Sequence, residues 1–173
     1  MWYKYIIWSI LVIIAALIQV SFSSSQNAVL SNFNFILAVL ALLVNLAPFD
    51  KVVFFLIISG LVLDIYSSIP FGIFLLSYLL VAIILEILFK NFFTNRSFYS
   101  LLILGIIAVL FFNGIFLSLS GIAYSLGWSD YFTNWSYLTA VGWQLLDNLI
   151  FLTVAFFLIN YLSKKFKPVF LHS

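Results

Sequence analysis

Six apolar stretches, residues 5–22, 30–46, 52–65, 71–89, 101–119 and 137–162, are divided only by short polar segments, and this pattern leaves few folds open. Apolar residues make up 66% of the 173 positions and charged residues 7%, where a soluble domain carries about 25% charged residues. A chain of this kind has too few polar groups to cover its own surface in water. The hydrocarbon core of a bilayer is about 30 Å thick and a helix rises about 1.5 Å per residue, so one crossing takes about 20 residues. The expected fold is all-α: one polytopic domain over residues 1–173 that crosses a membrane about six times, with no separate soluble unit.

Two stretches are short. The second stops at Pro48 and the third before the turn Ser67-Ser68-Ile69-Pro70. The third covers only about 20 Å as a helix, so it is expected either to thin the bilayer or to continue as irregular backbone buried against protein. The sixth exceeds the need, which permits tilt. A cleaved signal peptide is the competing reading of the first stretch. Its apolar core is longer than the usual 7 to 15 or so residues, and only Ser21 and Ser23 offer weak cleavage positions.

The basic residues orient the chain. With the amino terminus inside, Lys4, Lys51, Lys90, Arg96, Lys164, Lys165 and Lys167 all fall on the cytoplasmic side, and these are all 7 of the lysines and arginines. Short loops near helix ends are the regime in which positive residues stay inside. Both termini are therefore expected to be cytoplasmic, and five or seven crossings would scatter the charges over both faces. The outer segment 123–136 holds Tyr124, Trp128, Tyr131 and Trp135, as suits the headgroup level. Asn95-Arg96-Ser97 and Asn134-Trp135-Ser136 fit the glycosylation sequon, a pattern too short to carry weight.

The chemistry available is narrow. There are no cysteines and one histidine, His172, so thiolate catalysis, disulfide frameworks and Cys/His metal sites are excluded. Gly-rich phosphate loops and metal-ligand spacings are absent, and no nucleophile stands in a constellation with a general base. A net charge of +2 with scattered lysines gives no nucleic-acid surface. No enzyme activity and no cofactor is expected. Gly60, Gly105, Gly114 and Gly121 read as close-packing positions or helix ends.

Polar residues inside spans are the remaining candidates, because they are costly there and usually face the bundle interior. Asp50 beside Lys51 reads as a solvated pair in a cytoplasmic turn. Glu86, four residues before Lys90, reads as a helical ion pair. Asp64 ends a helix, where the carbonyl dipole repels a carboxylate by about 0.3 to 1 kcal/mol; it either caps the next turn through the amides of Tyr66 or Ser67 or serves a partner or ligand. Gln144, Asp147 and Asn148 lie on one side of the last helix. Asp64, Asn113, Gln144 and Asp147 fall at similar depth, and with Asn148 they are expected to form an intramembrane polar cluster between the third, fifth and sixth helices. Such a cluster acts as polar glue between helices or as a ligand or proton site.

The segment containing Gly60, Asp64, Ser67, Pro70 and Gly72 resembles the signature of the rod shape-determining membrane protein family MreD, a glycine, an aspartate four residues on, then serine, proline and glycine. The likeness extends to chain length, the apolar run before Pro48 and a polar residue on the last helix, Asn148. Ser68 stands where the family usually has a small glycine, and Asn34 and Phe35 stand where it commonly has a proline. The resemblance implies a non-enzymatic scaffold in the cytoplasmic membrane. Its partners would be a periplasmic MreC-like protein and, indirectly, MreB-like filaments and peptidoglycan synthases. It also implies kinship in fold with the substrate-binding subunits of energy-coupling-factor vitamin transporters, which keeps a solute-binding role open. In this reading Pro70 starts the fourth helix and Gly72 lets a neighbouring backbone approach.

Overall fold

Capping residues, more than the limits of the apolar runs, set the helix ends in the computed structural model. Residues 2–23, 31–92, 97–128 and 136–166 are described. Among them the chain is all-helical, with α1 (Trp2–Ser23), α2 (Phe35–Leu46), α3 (Phe49–Tyr66), α4 (Ile73–Phe92), α5 (Phe98–Ser125) and α6 (Ser136–Phe166). Among the described residues, three segments are long and apolar enough to cross a membrane: Ile73–Phe92, Phe98–Ser125 and Tyr137–Tyr161.

The second and third helices differ from the lengths expected of their runs. α2 has 12 residues, about 18 Å, because Asn34 interrupts the apolar run and caps the helix, its Oδ1 accepting from the Leu37 amide at 3.2 Å. α3 has 18 residues, about 27 Å, and is thus longer than the apolar run 52–65. Pro48, with its φ fixed near the helical value, sits at the N-cap, and Asp50 lies in the first turn where the helix dipole favours a carboxylate. α5 starts at the Ser97 cap, whose Oγ accepts from the Ser100 amide at 3.2 Å. It ends in paired bonds, Trp128 N–H to Ala123 O at 2.9 Å and Gly127 N–H to Tyr124 O at 3.0 Å. That motif needs a left-handed residue, and Gly127 supplies it at φ +72°. Ala123 and Tyr124 thus belong to α5; Tyr131, Trp135 and Asn134 lie outside the described residues, as do Asn95 and Arg96.

The packing is an arc around a hub. Helices α1, α3, α4, α5 and α6 follow one another in that order, each touching the next, and α2 touches all five. Among the described residues α1 and α6 do not touch, so the arc is open between them. Seven of the 12 residues of α2 are buried, and the half-buried remainder, Phe35, Val39, Leu42, Leu43 and Leu46, forms one stripe. Leu40 of α2, Leu56 of α3, Val81 and Leu85 of α4 and Leu104 of α5 are fully buried and make the centre of the core.

Two glycines show how close the helices come. A Cβ on Gly60 would lie 2.8 Å from the Leu75 Cα, so α3 and α4 cross almost backbone to backbone. A Cβ on Gly105 would collide with the tip of the Leu152 side chain. Gly60→Ala must move a backbone and is expected to cost about 1 to 3 kcal/mol, whereas Gly105→Ala asks only a leucine tip to turn and should cost less than about 1 kcal/mol. Thermal unfolding of the two variants in detergent checks the order. Gly114 departs from the close-packing expectation: nothing lies within 4 Å of its Cβ position. Gly121 sits inside α5, at neither end.

Candidate functional site

The turn between α3 and α4 gathers the residues of the sequence signature into one corner. Asp64 is 4% exposed, and its carboxylate accepts from the Phe74 amide at 3.0 Å and the Leu75 amide at 3.2 Å. It therefore leaves the repulsive end of its own helix for the amino end of the next, where unpaired amides and the dipole attract a negative group. This corrects the expected cap through Tyr66 or Ser67. Ser67 ends α3, and its Oγ donates to Asp64 O at 3.2 Å and stands 3.4 Å from Ile69 O. Pro70 lies in the turn, three residues before α4 begins at Ile73, so it does not start the helix. Gly72 has φ +98° with nothing within 4 Å of its Cβ position. Its role is backbone conformation, not close approach; the close approach belongs to Gly60.

The polar cluster expected between the third, fifth and sixth helices divides. Asn113 Nδ2 donates to Gln144 Oε1 at 2.8 Å and to Val109 O at 2.7 Å, and the Tyr137 hydroxyl donates to Asn113 Oδ1 at 2.6 Å. That triad ties α5 to α6. Asp64 does not join it, since among the described residues α3 packs on α1, α2 and α4 and touches neither α5 nor α6. Asn148, one turn from Gln144, is 1% exposed, and neither its Oδ1 nor its Nδ2 has a partner among the described residues. Asp147 also stays outside the triad, with a buried Oδ2 that has no donor among the described residues. The expected pair of Glu86 and Lys90 forms at 2.9 Å. With Lys90 68% exposed, it is a surface interaction of small worth.

A double-mutant cycle on Asn113 and Gln144, each changed to alanine, is expected to give a coupling of about 0.6 kcal/mol and at most roughly 1.7 kcal/mol. Denaturation of the four proteins in detergent reads it directly.

A second polar centre holds the start of α2 and has no counterpart in the expected cluster. Gln19 Oε1 accepts from the Phe35 amide at 2.6 Å, and its Nε2 donates to Phe33 O at 3.1 Å. The Tyr78 hydroxyl donates to Asn34 Oδ1 at 3.1 Å. Side chains from α1 and α4 thus satisfy or brace the first amides of a buried helix end, groups that would cost about 1 to 3 kcal/mol each if left alone. Tyr78 is fully buried, stacked on Phe112 at 4.7 Å, while Phe74 meets Phe116 at 5.1 Å. Gln19 was visible as the one amide within the first apolar run. Tyr78, an aromatic residue in an apolar helix, gave no such signal.

Comparison with protein-family models, with characterised proteins and with solved structures gives no match. The site is therefore read from its own geometry. Among the described residues its polar groups work mainly between helices: Asp64 joins α3 to α4, Gln19 joins α1 to α2, Asn34 joins α2 to α4, and Asn113 joins α5 to α6. No group of three or more metal-ligating side chains occurs among them.

Proposed function

We propose that this chain is a multi-pass protein of the bacterial cytoplasmic membrane, with six spans and both ends inside, that serves as a non-enzymatic scaffold of the cell-elongation machinery. The observation that carries the reading is the corner at residues 60–72. Four of the five residues of the MreD-like signature have a distinct mechanical part there: Gly60 lets α3 and α4 meet, Asp64 caps α4, Ser67 closes α3 and Gly72 turns the backbone. A fixed corner of this kind presents the exposed side chains of Ile65, Tyr66 and Phe71 at a constant geometry, as a docking module requires. The basic residues support the orientation. Lys51 starts α3 and Lys90 nears the end of α4, so both lie at the bundle end away from the corner, which supports a corner on the outer side.

The partners of this reading are a single-span MreC-like periplasmic scaffold and, through it, MreB-like filaments and peptidoglycan synthases. Affinity purification of the tagged chain from its host membrane should recover such a single-span coiled-coil protein, and depletion should turn rods into spheres. Recovery of an ATPase pair, with shape unchanged, would replace the reading.

Asn148 favours a second reading, a substrate-binding membrane subunit of an energy-coupling-factor-type transporter. Its buried amide lacks partners among the described residues, so it offers hydrogen-bonding capacity to a small polar solute one turn from Gln144. A vitamin or metabolite that binds should raise the unfolding temperature in detergent as RT ln(1 + [L]/Kd). A shift lost in Asn148→Leu would establish that role.

A further inference from the structure

We infer that the outward face of α6 is the docking surface for one transmembrane helix of a partner protein, and that this helix carries a lysine or arginine at the depth of Asp147. Among the described residues α6 packs only on α5 and α2. Gln144, Asn148 and Leu152 are buried, and the opposite side runs Trp143, Asp147, Ile150, Val154 and Phe157. These alternate at four and three residues, the repeat by which two helices lie along each other at about 20°. Trp143 is 50% exposed and Ile150, Val154 and Phe157 are each 61% exposed or more, while Asp147 between them is half-buried at the edge of the stripe.

An apolar stripe alone would suit lipid equally well, and Asp147 is what separates the two. Its Oδ2 is buried and receives no hydrogen bond among the described residues. Acidic side chains within spans pair with another group or face water, because leaving them alone in hydrocarbon is costly. Charge complementarity then selects a basic partner. A second copy of this chain cannot provide one, since all its lysines and arginines flank the apolar stretches and none lies at that depth. The inference rests on the membrane-spanning reading but not on the role in cell shape.

The chain has no cysteine, so single cysteines report contacts cleanly. Full-length protein carrying Val154→Cys, within the stripe, or Ile103→Cys, an exposed position of α5, is reconstituted in phosphatidylcholine vesicles. The added probe is a synthetic leucine-alanine helix with one cysteine and either lysine or leucine at mid-span. The lysine helix is expected to crosslink to Val154→Cys about fivefold more than the leucine helix, with no such preference at Ile103→Cys. Adding Asp147→Leu should abolish the preference while leaving helix content unchanged. Equal crosslinking of the two helices, or a preference that survives Asp147→Leu, overturns the proposal. So does Val154→Cys crosslinking between copies to the same extent without the added helix, which makes a second copy the occupant. Protein that fails to float with the vesicles overturns the membrane reading and the docking surface together, whereas an unchanged cell shape on depletion bears only on the elongation role.

Discussion

Asp64→Ala is expected to lower stability by about 3 kcal/mol or more, seen as a fall in the unfolding midpoint in detergent. The carboxylate is almost wholly buried and receives two amide hydrogen bonds from the first turn of α4. Buried bonds to a charged group contribute about 1.5 to 3 kcal/mol each, and removing the acceptor leaves the two amides without it. Asp64→Asn keeps one carbonyl acceptor and should fall between alanine and wild type. If the asparagine variant matched wild type, neither the charge nor the second acceptor would matter, and the dipole argument would fail.

The opposite sign is expected for Asp147→Leu, which should raise stability by about 2 kcal/mol in the same measurement. Here the carboxylate has a buried oxygen with no donor among the described residues, and an acid at the centre of a span costs on the order of 2.5 to 3.5 kcal/mol on insertion scales. Leucine removes that cost and fits an already apolar stripe. A protein that keeps such a residue keeps it against its own stability, as is usual where a site must bind something. Two aspartates with the same chemistry thus predict opposite outcomes, because one meets a helix end and the other has a buried oxygen that meets no donor among the described residues. A destabilised Asp147→Leu would show that the acid holds the bundle together.

Much of the helical layout was legible in the residues. The apolar stretches predict six helices, and six are found among the described residues; the Glu86 and Lys90 pair followed from helical spacing alone. Boundaries were less legible, because hydropathy does not register a cap. The run 30–46 is apolar except for residues near Asn34 and for Asn45, yet Asn34 decides that α2 starts at Phe35. For the polar residues, depth along the axis was readable and azimuth was not. Asn113 and Gln144 meet because α5 and α6 are neighbours, while Asp64, at a similar expected depth, faces another helix. Neighbour relations arise from packing of the whole bundle, and no local pattern in Gln19 or Tyr78 announces that both brace the start of α2.

The place of α2 bears on how the molecule is made. The hub is synthesised second, while four of the helices that enclose it follow later in the chain. At about 18 Å it is too short to bridge a bilayer of about 30 Å unaided. A nascent chain halted after α2 therefore exposes an undersized segment whose braces, Tyr78 among them, do not yet exist. On the proposed six-span reading, α2 completes its insertion only together with later helices, and shortened chains should be recognised and degraded until α6 has been delivered.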